Sequence, residues 1–218
     1  MKRVRVKICG VRTLEEAEAA TAAGADALGF NFWPKSPRYI LPGEAARIVA
    51  SLPALVNSIG VFVNEELDRV REIVSEVGLD AVQLHGEETP RYCLGLNGAK
   101  VIKAFRVGKD FDLDTIRDYP VSAILLDAKV EGQYGGTGRR FSWDLAIEAR
   151  RRAHVILAGG ITIDNVAEAI TTVRPFAIDV CSGVESEPGR KDLTKMRELM
   201  KEVARANLLV LSDSAPRT

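Results

Sequence analysis

Short apolar runs alternate with stretches of helical period along almost the whole chain. Val4–Cys9 reads as a strand and leads to a helix over Thr13–Ala23, where Thr13 and Glu16 have the spacing of a capping box. Ala25–Phe32 follows, then a proline-rich loop and a helix near Gly43–Ser51. Ser58–Val63 pairs with a helix at Glu65–Val77, and Ala81–His85 with one at Glu87–Leu94. The alternation continues through Val101–Val107 with Phe111–Asp118, and Val121–Asp127 with Ser142–Arg152. It closes with Val155–Ala158 and Asp164–Thr172, then Phe176–Cys181 and Asp192–Asn207.

Strand and helix alternating without a break call for a parallel sheet covered by helices. Eight such pairs in 218 residues match a closed (β/α)8 TIM barrel better than an open doubly wound sheet. No Gly-x-Gly-x-x-Gly opens the first helix, which argues against a dinucleotide-binding fold. The pattern predicts one barrel domain over residues 1–207 and a loose C-terminal tail over residues 208–218.

Composition narrows the partners. Lys plus Arg and Asp plus Glu both count 30, so no basic excess recommends nucleic acid. No uncharged run approaches the ~18 residues of a membrane span, and the charged start of the chain lacks the apolar core of a signal peptide. Cys9, Cys93 and Cys181 form an odd, sparse set without metal spacing, as free thiols in a reducing cytosol would. The expected location is cytoplasmic. The chain is expected to act as a monomer or a homodimer.

Strands of such a barrel are buried on both faces, so each polar side chain within one needs a reason. Alternation sends Arg5, Lys7 and Cys9 of the first strand inward, with Gln83 and His85 of the fourth. Asp127 of the sixth, and Asp179 and Cys181 of the eighth, share that face. Most lie at the C-terminal ends of their strands, where barrel enzymes carry their active sites. Lys7 is expected to pair with Asp179, because the first and eighth strands are neighbours in a closed ring and an unpaired buried charge costs several kcal/mol. Cys9 reads either as a small core residue or, with a cation two residues before it, as a thiolate. Cys181 is expected to be inert and Cys93 structural. His85 either binds substrate or caps the following helix, and His154 is structural.

The stretch from Ala123 to Trp143 is the most informative. An apolar strand stops on one carboxylate, Asp127, and opens into a glycine-rich loop over Gly132–Arg140, a cover expected to close over a site. Small residues after the seventh and eighth strands, Gly159 and Gly160, then Ser182 and Gly183, let backbone N–H groups approach an anion; in barrels this pair of loops recurrently holds phosphate. In Phe32-Trp33-Pro34-Lys35-Ser36-Pro37-Arg38, the prolines stiffen the loop and Arg38 offers a planar fork suited to a carboxylate. Aromatics there are expected to line a ring pocket, and Lys35 to face solvent.

Taken together, several motifs resemble one family. They are Lys7-Ile8-Cys9-Gly10, Ser36-Pro37-Arg38-Tyr39, Gln83-Leu84-His85-Gly86, Leu126-Asp127 and Gly135-Gly136-Thr137-Gly138. Leu157-Ala158-Gly159-Gly160, Asp179-Val180-x-Ser182-Gly183-Val184-Glu185 and Pro188-Gly189-x-Lys191-Asp192 complete the set, which is similar to the phosphoribosylanthranilate isomerases of tryptophan biosynthesis. That resemblance implies an Amadori rearrangement of a small phosphoribosyl substrate, N-(5-phosphoribosyl)anthranilate, with Asp127 as general acid, Cys9 as general base and Arg38 on the anthranilate carboxylate. Gln83, His85 and Asp179 are expected to touch the substrate. An iminium nitrogen stabilises the developing charge, so no metal or organic cofactor is called for. A histidine-pathway ketol-isomerase would carry a second Asp in place of Cys9, and indole-glycerol-phosphate synthase would need strand-borne Lys and Glu. A non-catalytic phosphate sensor would have no use for an acid and a thiol in one cavity.

Overall fold

The computed structural model of the chain describes residues 3–96, 98–108, 111–127 and 138–212. Eight parallel strands close on one another in chain order: β1 (Arg5–Cys9), β2 (Ala27–Asn31), β3 (Asn57–Phe62), β4 (Ala81–Leu84), β5 (Lys100–Arg106), β6 (Ala123–Asp127), β7 (Val155–Ala158) and β8 (Ala177–Val180). The ring shuts where β1 meets β8, with Lys7 opposite Asp179 in the register. Outside it lie α1 (Leu14–Ala22), α2 (Pro42–Val49), α3 (Leu67–Val77), α4 (Pro90–Gly95), α5 (Gly138–Ala149), α6 (Val166–Val173) and α7 (Leu193–Ser212). The expected (β/α)8 barrel is the observed fold.

Strand alternation sorts the apolar side chains into two cores. Val6, Ile8, Leu28, Phe30, Leu84, Ile124 and Leu126 point outward and are sealed under the helices. Each such large side chain contributes about 1.5–3 kcal/mol through burial. Ala27, Ile59, Ala81, Ile102, Ala123, Ile156 and Ala177 point inward and fill the barrel at or near the strand starts. The C-terminal ends of the strands are thereby left to polar side chains.

Local chemistry sets the helix ends. Thr13 accepts the Glu16 N–H at 3.2 Å, as the spacing predicts. Glu16 itself departs from the capping box. Its carboxylate takes the N–H groups of Arg12 and Lys191, both at 2.8 Å, and so ties the start of α1 to a later segment. The helix expected over Phe111–Asp118 is a six-residue 3-10 helix, Leu113–Asp118. Pro120 holds Tyr119 in extended backbone and stops it. Phe111 and Tyr119 compensate by packing edge-on against Phe105 of β5.

One expectation about the end of the chain needs correcting. A helix expected to stop at Asn207 runs to Ser212, because Met196, Leu199, Val203, Ala206 and Val210 continue one buried stripe. Asn207 is a clamp within it, accepting the Val4 N–H at 2.8 Å and donating to the Val4 carbonyl at 3.1 Å. The short hairpin β9 (Glu185–Glu187) with β10 (Arg190–Lys191) was not foreseen, since charged residues dominate both strands. Among the described residues no helix is long and apolar enough to cross a membrane.

Candidate active site

A cavity of about 410 Å³ opens at the C-terminal ends of the strands. Cys9, Gln83, His85, Asp127 and Asp179 line it from inside the ring. Gly159, Gly160 and Ser182 line it from the loops after β7 and β8, and Arg38 and Trp33 from the loop after β2. Nine of the ten residues expected at the site therefore share one cavity. Gly183 lies behind it: a Cβ there would sit 2.0 Å from the Ile161 carbonyl oxygen, so its bare backbone lets the two loops touch.

On the β1 side, Cys9 ends its strand as a buried free thiol. The chain then turns through Gly10, whose φ of +78° suits glycine, and a Cβ there would meet Arg38 Cδ at 2.7 Å. This missing side chain is what lets Arg38 lie beside Cys9. Lys7, on the same inner face, donates to Asp179 at 2.9 Å with both side chains almost wholly buried. The expected pair is thus present. Burial acts to lower the Lys7 pKa, but Asp179 and Cys9 outweigh it and raise it. Burial pushes the Asp179 carboxyl up to about 6 although Lys7 opposes that rise.

Arg38 does not face the cavity with its whole fork open. Its Nε and one terminal nitrogen each donate at 2.7 Å to the two oxygens of Glu185, a bidentate pair. That hydrogen-bonded carboxylate raises the arginine pKa. Glu185 also accepts from Lys191 at 2.9 Å, and the Lys191 side chain is fully buried. Both residues stood in recognisable motifs without a role. Their signal was two charged residues standing within motifs that follow the loop after β8.

Cys181, expected to be inert, lines the same cavity as Cys9, and its thiol is the largest influence lowering the Cys9 pKa; its S–H donates to Glu185 Oε1 at 3.9 Å. Lys7 and Lys191 lower it further while burial opposes them. The Cys181 thiol is correspondingly pushed up.

Across the cavity, Asp127 is about a quarter exposed, and its Oδ2 lies 3.6 Å from His85 Nε2. Gln83 Nε2 lies 3.0 Å from His85 Nδ1. With the amide nitrogen donating, His85 carries its proton on Nε2, the atom nearest Asp127. Gln83 Oε1 is buried and has no hydrogen-bond partner among the described residues. The turn carrying His85 is braced from behind by Lys103, which donates to the Gly86 carbonyl at 2.7 Å and to Glu88 at 3.0 Å. Both members of that ion pair are buried. Sequence reading missed it because Lys103 sits on the outward face of β5. It also missed Arg106, which alternation after Ile102 and Ala104 would have sent inward and which lines the cavity.

Other expectations divide. Phe32 enters the outer core and stacks on Phe62 at 5.2 Å, leaving Trp33 as the aromatic at the cavity. Lys35 is exposed as expected. His154 stacks on Phe176 at 4.6 Å, and the Arg5 guanidinium lies 4.4 Å over the same ring. Of the cover expected over Gly132–Arg140, residues 132–137 lie outside the described residues, and its last three positions belong to α5, which begins at Gly138 and not at Ser142.

Comparison with known proteins agrees with this geometry. The family model for N-(5'phosphoribosyl)anthranilate (PRA) isomerase matches residues 6–202. An N-(5'-phosphoribosyl)anthranilate isomerase of Citrifermentans bemidjiense is 54% identical over 205 residues, covering 94% of this chain and 99% of that protein. The crystal structure of phosphoribosyl anthranilate isomerase from Thermotoga maritima superposes with a TM-score of 0.84 at 45% identity, covering 93% of this chain and 99% of that one. Another structure of such an isomerase, in complex with reduced 1-(o-carboxyphenylamino)-1-deoxyribulose 5-phosphate, gives a TM-score of 0.81 at 42% identity, covering 93% and 99%. By fold and by sequence, the chain belongs to the N-(5'-phosphoribosyl)anthranilate isomerase family.

Proposed function

We propose that Cys9 and Asp127 carry out the family's reaction in this cavity as general base and general acid. The chain is an isomerase of tryptophan biosynthesis. It converts N-(5'-phosphoribosyl)anthranilate into 1-(o-carboxyphenylamino)-1-deoxyribulose 5-phosphate by an Amadori rearrangement. The observation that carries the assignment is that a thiol from β1 and a carboxyl group from β6 line one cavity at the same end of the barrel.

Asp127 gives its proton to the furanose ring oxygen as the C1–O bond breaks, and the anthranilate nitrogen supplies electrons to form a protonated Schiff base. Cys9, as thiolate, then removes the hydrogen at C2, and the electron pair moves toward the iminium nitrogen. The resulting enaminol takes a proton at C1 and releases its C2 hydroxyl proton to become the ketose. Gly159, Gly160 and Ser182 receive the phosphate, with Gly183 allowing their loops to meet. Arg38 meets the anthranilate carboxylate with the guanidinium edge that Glu185 leaves open. Gln83 Oε1 accepts from a ribose hydroxyl, and His85 holds Asp127 in place. Asp179 acts through Lys7 beside the thiol. Fixing the substrate at phosphate and carboxylate supplies the orientation that two proton transfers need. Free thiols at Cys9, Cys93 and Cys181 support a cytoplasmic setting.

The decisive experiment follows the fluorescence of phosphoribosylanthranilate as it is consumed by the wild type and by Asp127→Asn. Turnover is expected to disappear in the variant while product binding persists. Undiminished turnover removes Asp127 from the mechanism.

A further inference from the structure

On the outer face of β5, Lys103 stands between Val101 and Phe105, which are apolar and buried under the helices. Its ammonium is surrounded by acceptors all the same. It donates to the Gly86 carbonyl at 2.7 Å, to Glu88 at 3.0 Å and to the Ala104 carbonyl at 3.1 Å, with the Leu84 carbonyl at 3.4 Å. Glu88 in turn accepts the Gly86 N–H on its two oxygens, at 3.1 and 3.0 Å, and the Asn64 N–H at 2.8 Å. Asn64 Oδ1 accepts the Glu87 N–H at 2.7 Å. Only a glycine fits between them: a Cβ on Gly86 would stand 2.3 Å from Asn64 Oδ1.

One buried ion pair therefore ties the turns after β3 and β4 to β5. These three strands and their turns send Val61, Val63, Gln83, His85 and Arg106 to the cavity, while Glu88 and Lys103 stay behind its wall. Gly86 directly follows His85. The carboxylate holds its N–H and the ammonium holds its carbonyl, so the peptide on either side of it is fixed. Stability alone does not call for two charges here, because apolar side chains of similar volume can fill such a space at comparable stability. What apolar groups cannot do is hold an N–H and a carbonyl in set directions.

We propose that Glu88 and Lys103 are positioning residues for the reaction: by clamping Gly86 they hold the His85 ring against Asp127, where Nε2 lies 3.6 Å from Oδ2. This rests on Asp127 being the acid and on His85 holding it. The pair touches no part of the substrate and acts only through the turn it grips. Phosphate and anthranilate carboxylate are received by other loops, so loss of the clamp shows in kcat and leaves KM in place.

The test watches the His85 ring directly. The chain has 2 histidines, and His154 precedes β7 at the opposite end of the barrel, so imidazole nitrogen NMR distinguishes the two rings. Wild type, Glu88→Gln, and Glu88→Gln combined with Lys103→Met are compared by this spectrum and by kcat and KM. The double variant leaves no buried charge of the pair uncompensated, so it keeps the fold where the single one loses it. Wild type is expected to show one His85 tautomer, protonated on Nε2. In the variants that single form is expected to give way to a mixture, with kcat about a hundredfold lower, as a displacement of ~1 Å costs, and KM unchanged. Adding Glu88→Gln to His85→Ala is expected to lower kcat no further. A wild-type His85 spectrum in a folded variant overturns the clamp, and a disturbed spectrum with unchanged kcat overturns its catalytic role. A double variant that cannot fold makes the pair structural and overturns the proposal too. A full additional loss of kcat in the His85→Ala background overturns the action through His85 and leaves Asp127 as the acid. Undiminished turnover in Asp127→Asn removes the acid itself, and with it what the clamp serves.

Discussion

Replacing Glu185 by Gln keeps the side chain's shape and takes away its charge. In the structure that carboxylate is 4% exposed and accepts from Arg38 twice, at 2.7 Å each, and from Lys191 at 2.9 Å. The Lys191 ammonium is wholly buried, so the variant strands a cation away from water with no counter-charge. Breaking a buried pair from one side costs about 3–5 kcal/mol. At ~2–4 °C per kcal/mol for a chain of this length, the melting temperature should fall by roughly 6–20 °C. Burial tends to raise the Glu185 pKa, but hydrogen bonds from Arg38 and Lys191 outweigh it, and the group titrates below its ordinary 4.5. The unfolded chain therefore takes up this proton at higher pH than the folded one. Stability from the group is present above pH 4.5 and drains away as pH falls through the lowered value. Urea unfolding of wild type and Glu185→Gln should differ widely at neutral pH and converge in acid. Adding Lys191→Met to the variant should recover part of the loss, since the wholly buried cation is then gone and only the part-exposed Arg38 is left without its carboxylate. A loss below about 1 kcal/mol at neutral pH, or one that is the same in acid, would refute the charge argument.

Three further outcomes follow from the same geometry. Cys9→Ser should lower kcat by several orders of magnitude, because an alcohol is far harder to ionise than a thiol; single-turnover measurements separate this from weaker binding. Arg38→Ala should mainly raise KM for phosphoribosylanthranilate, and an unchanged KM takes Arg38 out of the substrate site. Lys103→Met leaves the buried Glu88 carboxylate without its cation and should cost about 3–5 kcal/mol in urea unfolding. A near-neutral result there would mean that the turn bearing His85 is held by its backbone alone.

Most of the barrel was legible in the chain because its signals are local. Two-residue alternation depends on strand geometry alone, so Cys9, Gln83, His85, Asp127 and Asp179 were assigned to the inner face without knowledge of any partner. The ring closure followed from counting strands, and it led directly to Lys7 with Asp179. Reading failed where a local signal was weak or ambiguous. The 3-10 helix Leu113–Asp118 has helix-forming residues but is ended by Pro120, and the β9–β10 hairpin has no apolar alternation to reveal it.

What the amino-acid order determined was therefore which residues stand at the mouth of the barrel and in what chemical kind. Tertiary structure alone decided their company. Arg38 and Glu185 are 147 positions apart, and no periodicity links them. Only the closing of the ring brings the loop after β2 against the hairpin after β8, where the fork finds its carboxylate. Glu16 takes the Lys191 N–H, 175 positions along the chain, for the same reason: charges and hydrogen bonds act over a few ångströms of space, and distance along the chain is irrelevant to them.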